Sequence, residues 1–484
     1  LVKKGVNVNA EAEGYGCVIY AASIEGHDEI VKLVLDHGAD VNANCDGSYG
    51  TAILVASSRD HKNVVKTLVD HGADLSTEFG GIGNALQAAS FEGYEEIVGL
   101  LLDNGADINA KTEEFCSALV AAVTGGNREI ITTLLKRGAD VNIRGGDPHT
   151  ALIAAACEGD TEITEQLLTH GAEIDDQDSH YLGTALCAAL YYDKEDIVAL
   201  LLAKGANIHT EGGKFSNALG VAAYKGNQPM VDQLLRLDAD INAPGNVFSG
   251  ALQAAIAGGH KEIVDRLLAQ GADIHRQGGV YGSVLGTAAA EGKLWVIELL
   301  IDKGADLSAT NDSGETLLHL GSASGHIVVL RLLIQHGAHL DSQDYNGITP
   351  LIAALRKKHA QAAEFLLEKG ANFSMVSESG VTALTLASEQ GIVDIVRHIL
   401  DKMTGLGTVN DCGLITAACN GHLEVVKLLL DNGADPVIAG NDGWSATAFA
   451  SDHGHLEVLK LFLGRGGDMF AINGGWTPLL LTAR

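Results

Sequence analysis

The sequence predicts an all-α repeat solenoid, and three observations lead there. The phrase LVLDHGADVNA, Leu33 to Ala43, returns as LLDNGADINA from Leu101, LLKRGADVNI from Leu134 and LLLDNGADPV from Leu428. The glycine of that phrase, or its stand-in, falls at 5, 38, 72, 105, 138, 171, 205, 238, 271, 304, 337, 370, 403, 433 and 466, mostly 33 residues apart. A fixed period of this size marks stacked repeats rather than one globular core. The third observation is an unequal tolerance of length. A second marker, the first residue of phrases such as NALQAA, TALIAA and TPLIAA, precedes the glycine position by 21 residues in every repeat, from Cys17 and Gly38 to Ser445 and Gly466. The stretch from glycine to the next marker is usually 12 residues, but 13 before Thr51 and 9 before Cys412. Packed core resists insertion and exposed connections accept it.

Each fixed segment reads as two short helices. In NALQAASFEGYEEIVGLLLDNG, Leu86, Ala88 and Ala89 belong to a small-residue first helix that breaks at Gly93, and Ile97, Val98, Leu100, Leu101 and Leu102 to a second. The second is apolar around much of its girth, so it is expected between neighbouring repeats. Gly105 supplies the left-handed residue that ends a helix, and ADINA after it is extended. No repeat can bury its own Leu, Ile and Val face, so stability must come from stacking. Two glycine positions depart from the pattern. Asp238 enters the left-handed region more readily than Met403 does. With the following hairpin three residues short, KMTGLGTVNDCG is expected to be a kink or weak joint.

Bulk properties bound the partners. At 484 residues the chain exceeds one ordinary core. Its 62 acidic against 32 basic residues disfavour nucleic acid and anionic membrane, which require positive charge facing phosphate. No apolar run approaches the roughly 18 to 20 residues of a membrane span, and LVKKGVNVNA is not a signal peptide. The 7 cysteines form no CxxC pair. Such scatter suits free thiols in a reducing compartment, cytoplasmic or nuclear.

These features resemble the ankyrin repeat, a 33-residue unit running as a β-turn, TPLHxAA, GH, an EIV-LLL helix and GADVNA. The resemblance covers essentially the whole chain. It implies helix-turn-helix units with projecting β-hairpins, stacked into a curved array with a concave groove. Thr349-Pro350-Leu351 and Thr477-Pro478-Leu479 keep TPL, and His319 alone keeps the histidine. Residues 1–14 read as a partial repeat, 15–304 as repeats one to nine, 305–475 as repeats ten to fourteen, and 476–484 as a truncated next repeat. The division near 305 follows a change of style. Two positions before the marker, repeats one to nine carry Tyr15, Tyr49, Ile82, Phe115, Pro148, Leu182, Phe215, Phe248 and Tyr281, whereas repeats ten to twelve and fourteen carry Gly314, Gly347, Gly380 and Gly443. Replacements such as Asn84-Ala85-Leu86-Gln87 and the GGxYG hairpins are similar to those of fungal ankyrin arrays, which are often attached to NACHT-type receptors, and the chain reads as a fragment of a larger multidomain protein.

No catalytic signature is present: GxxxxGK[ST], HExxH, GxSxG and spaced CxxC pairs are all missing. No catalytic, cofactor-binding or metal-binding residue is therefore assigned, and the chain is not expected to be an enzyme. His27, His260, His326, His359, His422 and His455 occupy the GH slot once per repeat, which favours a turn role over a metal site. The resemblance places groove contacts seven and eight residues past the marker: Ser58 and Arg59, Phe91 and Glu92, Tyr191 and Tyr192, Tyr224 and Lys225, Arg356 and Lys357. Phe91, Tyr191, Tyr192 and Tyr224 are the expected anchors of a protein or peptide partner, since exposed aromatics on a rigid scaffold often carry interface energy. The aromatic hairpin series, which recurs with the repeat, is expected to stack as a structural ladder. Between 151 and 200 eleven acids face one base, Lys194, and Asp175, Asp176 and Asp178 there could receive a basic segment of the partner. The chain is thus expected to be a protein-binding scaffold or ligand-sensing array. The alternative is the targeting arm of an enzyme whose catalytic domain lies outside this chain.

Overall fold

The computed structural model describes residues 7–12, 16–44, 50–80, 83–112, 115–145, 150–177, 182–211, 213–215, 217–403, 409–437, 439–440 and 444–467. Among them, 28 helices alternate as the first and second helices of successive repeats, from Val18–Ile24 with Asp28–Leu35 to Ala446–Asp452 with Leu456–Gly464. Packing groups them into two units, one formed by 1–225 and 229–245, the other by 226–228 and 246–484. Extended pairing is confined to the hairpins. Glu11–Ala12 pairs antiparallel with Gly16–Cys17, and single bridges join Phe79 to Gly83, Gln277 to Ser283, Thr310 to Thr316 and Val376 to Thr382.

The marker residue starts the first helix. Side-chain oxygens of Ser117, Thr150, Thr184, Thr349 and Ser445 each accept the N–H three residues on, a cap worth about 1 kcal/mol. The helix that follows is buried almost entire because its side chains are small, as at Ala151 to Ala156. Close approach sets the limit at Gly125, where a Cβ would lie 2.0 Å from the Phe91 carbonyl oxygen.

The second helix supplies the branched core. Ile97, Val98 and Leu101 are fully buried, while Leu100 and Leu102 are half-buried on the flanks. Each full burial stabilises by about 1.5–3 kcal/mol relative to exposure.

The GAD phrase owes its residues to three separate demands. Gly105 has φ +89, and a Cβ there would meet nothing within 4 Å, so the requirement is backbone freedom rather than space. The aspartate two residues after the glycine accepts an N–H two positions further on, as Asp40 does from Asn42 at 3.0 Å. The asparagine then reaches the next repeat: Asn42 Oδ1 accepts the Asp74 N–H at 2.8 Å, and Asn142 Oδ1 that of Glu173 at 2.9 Å. The recurring words are thus a hydrogen-bonded ladder along the array.

At the irregular joint, Met403 adopts φ −74 and ψ 114, so the helix Val393–Lys402 ends without a left-handed residue. Asp238 takes the left-handed conformation at φ +60. Beyond the shortened connection the helix Val409–Cys419 begins before its marker Cys412, and Thr416 Oγ1 donates to the Thr385 carbonyl in the preceding first helix at 3.4 Å.

The expectation of free thiols throughout is corrected at Cys17, which is disulfide-bonded. Cys116, Cys157, Cys187, Cys412 and Cys419 stand as thiols. A bridge depends on separation in space, which stacking can supply to cysteines that no short motif links.

Candidate functional site

The expected contact positions lie at the C-terminal ends of the first helices. In the first unit Phe91 and Tyr191 meet the hairpin aromatic of the following repeat, and Tyr224 meets that of its own. Phe91, at the end of Ala85–Glu92, packs on Phe115 with ring centroids 5.1 Å apart. Tyr191, at the end of Ala185–Tyr191, packs on Phe215 at 5.5 Å, and Phe215 in turn on Tyr224 at 4.7 Å. Phe215 is only 1% exposed. Its two tyrosines are half-buried.

Tyr192 extends the cluster outward. It meets Tyr191 edge-on at 5.3 Å yet keeps 46% of its surface exposed. Lys225 lies over the Tyr191 ring at 5.3 Å and pairs with Asp193 at 2.8 Å, and Lys214 lies over Phe215 and Tyr224 at 5.2 and 5.7 Å. The expected anchors are therefore of two kinds. Tyr191 and Tyr224 enclose a hairpin aromatic and help bury it, whereas Tyr192 and Phe91, the latter 36% exposed, keep much of their rings open to solvent. Among the described members of the hairpin series, Leu182, Phe215 and Phe248 are buried and Phe115 and Tyr281 half-buried. Tyr15, Tyr49, Ile82 and Pro148 lie outside the described residues.

The acidic candidates are engaged within the fold. Asp175 Oδ1 accepts the Asn207 N–H at 2.8 Å, one rung of the inter-repeat ladder. Asp176 pairs with Arg144 at 2.8 Å, and Glu173 reaches the same guanidinium at 2.7 Å. The three line a cleft of about 610 Å³ with Arg144, Ile174 and Gln177. Asp178 lies outside the described residues.

The histidine slot has a structural task. Nε2 of His61, His326, His422 and His455 donates to the carbonyl of Ile24, Ala290, Glu389 and Cys419, respectively, at the end of the preceding first helix. Asn127 and Lys194 do the same from equivalent positions, toward Ser90 with Phe91 and toward Glu158. These bonds satisfy carbonyls that a helix end leaves without intrahelical partners. Among the described residues no three His, Cys, Asp or Glu side chains gather as metal ligands. Burial pushes the Cys116 thiol up to about 11 and raises that of Cys187, so neither is a thiolate at neutral pH.

Sequence reasoning missed one residue type. Gln87 and Gln253 stand where the family pattern has histidine, and each joins its repeat to the next hairpin. Gln87 Oε1 accepts the Asn84 N–H at 3.1 Å and the Thr112 hydroxyl at 2.7 Å, and Nε2 donates to the Ala110 carbonyl at 3.1 Å. Gln253 Oε1 accepts the Ser249 N–H and Nε2 donates to the Gly278 carbonyl. His319 bridges the Thr316 N–H and the Ile348 carbonyl in repeat ten. The signal was the glutamine three residues past the marker.

Comparison with known families agrees with this geometry. A model described as ankyrin repeats (3 copies) matches residues 18–112, 78–145, 119–212, 285–377, 343–411, 372–439 and 414–484, and an ankyrin repeat model matches 250–278. No curated protein matches the chain.

Proposed function

The chain belongs to the ankyrin-repeat family, whose members are in general protein-interaction modules, and from this premise we propose that its first unit is a docking surface for a protein partner. One observation carries the reading. Tyr192 stays exposed at the edge of a rigid aromatic stack whose inner members, Tyr191, Phe215 and Tyr224, fix its position. An ordered aromatic loses little conformational freedom on binding, which is why such residues become anchors. Glu195 and Asp196, exposed in the first turn of the helix Glu195–Ala203 beside Tyr192, support a basic segment in the partner and faster association with it.

The test separates docking from folding. Tyr192→Ala removes the exposed ring and leaves Phe215 enclosed. Tyr191→Phe with Tyr224→Phe keeps the stack while deleting its hydroxyls. In pull-downs from the native cell extract, the partner is expected to be lost with Tyr192→Ala at unchanged melting temperature. Equal capture by wild type and Tyr192→Ala refutes the assignment. The hairpin Gly278 to Gly282, with Tyr281 before its last glycine, extends the reading to a sensing array within a larger receptor. An NTPase motif in the flanking coding sequence is expected. A kinase, hydrolase or transferase motif there would instead make the array a targeting arm.

A further inference from the structure

We propose that the second unit carries a separate docking surface for an acidic protein segment, centred on Arg356, Lys357 and Lys358. These are the only three consecutive bases in a chain of net charge −30. They run from the end of the first helix Pro350–Arg356 into the turn, and all three are exposed. Among the described residues no ion pair engages any of the three.

The backbone at Lys358 supplies the second observation. Nine residues past the marker, every repeat turns through the left-handed region. Glycine stands there in eleven repeats and aspartate in two, Asp60 and Asp193. Lys358 alone is a long side chain, held at φ +64, where a residue with a Cβ is strained. Elsewhere glycine is also demanded by space: a Cβ on Gly325 would lie 2.6 Å from the His359 ring, and one on Gly391 equally close to His422. The residue that would crowd Lys358 is Ile392 rather than a histidine. The inter-repeat bond that a histidine would have given comes from Gln390 Nε2, which donates to the Leu355 carbonyl. Lysine, isoleucine and glutamine thus depart from the pattern together and leave three bases unpaired by the fold. Strain retained against an available glycine points to use of the side chain.

Charge selects the occupant. A long polyanion such as nucleic acid would meet the acidic remainder of the chain beyond the patch. A short segment with a few carboxylates meets only the three bases.

The experiment titrates the full chain into a fluorescein-labelled, glutamate-rich peptide with interspersed leucines and follows anisotropy. Saturable, salt-sensitive binding is expected, weakened on the order of tenfold in Arg356→Glu with Lys357→Glu. Arg356→Gln with Lys357→Gln serves should the charge reversal not fold. Lys358→Gly is expected to raise the melting temperature while weakening the peptide, and Tyr192→Ala to leave this binding unchanged. No binding by wild type, undiminished binding by both double variants or by Lys358→Gly, or a DNA oligonucleotide bound as tightly as the peptide would each overturn the proposal.

Discussion

Replacing Gln87 by alanine tests whether the glutamines of the NALQAA style do the bridging that histidine does in the family pattern. Gln87 is 0% exposed, and its amide serves three partners at once. Gln87→Ala strands the Asn84 N–H, the Thr112 hydroxyl and the Ala110 carbonyl. A buried group left unsatisfied costs about 1–3 kcal/mol. Asn84 is 2% exposed and pays near the middle of that range, while Thr112 at 9% and half-buried Ala110 can recruit water and pay its lower end. The sum is about 3–4 kcal/mol. It should appear locally, because a repeat array yields first at its weakest interface. Hydrogen exchange over 83–112 and 115–145, with urea unfolding alongside, is the assay. Gln87→His should recover at least half the loss, since His319 already joins a cap N–H to the following hairpin in repeat ten. A Gln87→Ala protein within 1 kcal/mol of wild type, taken as the lower limit for one stranded group, would refute the bridging argument. So would a histidine variant no better than alanine.

Three further outcomes are expected. Ser57 and Ser90 are fully buried at the end of first helices with hydroxyls that find no partner, where other repeats carry Ala156, Ala223 and Ala289; each serine-to-alanine change should raise stability by about 1 kcal/mol in urea unfolding. His319 is held below its ordinary pKa, first by burial, so its contribution is complete above the unfolded value of about 6.5 and is lost as pH falls through the folded value. Denaturation midpoints of wild type should therefore drop on acidification below about pH 6.5 more than those of His319→Gln, and parallel pH profiles would refute this. A non-reducing peptide map should find Cys17 cross-linked, and a reductant should lower the melting temperature; an unmodified Cys17 peptide would return the protein to the all-thiol reading.

What could be read from the sequence was whatever depends on the residue's own repeat. The glycine of each GAD phrase, the marker that caps the first helix, and the Ile, Val and Leu spacing of the second each express a local backbone or burial demand repeated every 33 residues. Asp40 and Asn42 show the boundary of legibility. Asp40 bonds two residues ahead, a turn that sequence alone can suggest, whereas Asn42 bonds to Asp74 across the stack and only the fold brings the two together.

The candidate surfaces divide along the same boundary. Tyr191, Tyr192 and Tyr224 were legible as neighbours because their spacing follows the period, but spacing could not reveal that Phe215 fills the gap between two of them and turns them inward. Asp175 and Asp176 looked like free charge because composition counts carboxylates without their partners, and the fold had already assigned one to Asn207 and the other to Arg144. Lys358 is the reverse case. Its neighbours Arg356 and Lys357 stood at expected contact positions, yet Lys358 itself fell in a slot reserved for the turn. Only its left-handed backbone, read against thirteen glycines and aspartates at the same place, makes the third base a departure that the fold does not require. A repeat protein supplies its own control at every position, and residues that break the register at a structural cost are the ones to test for binding.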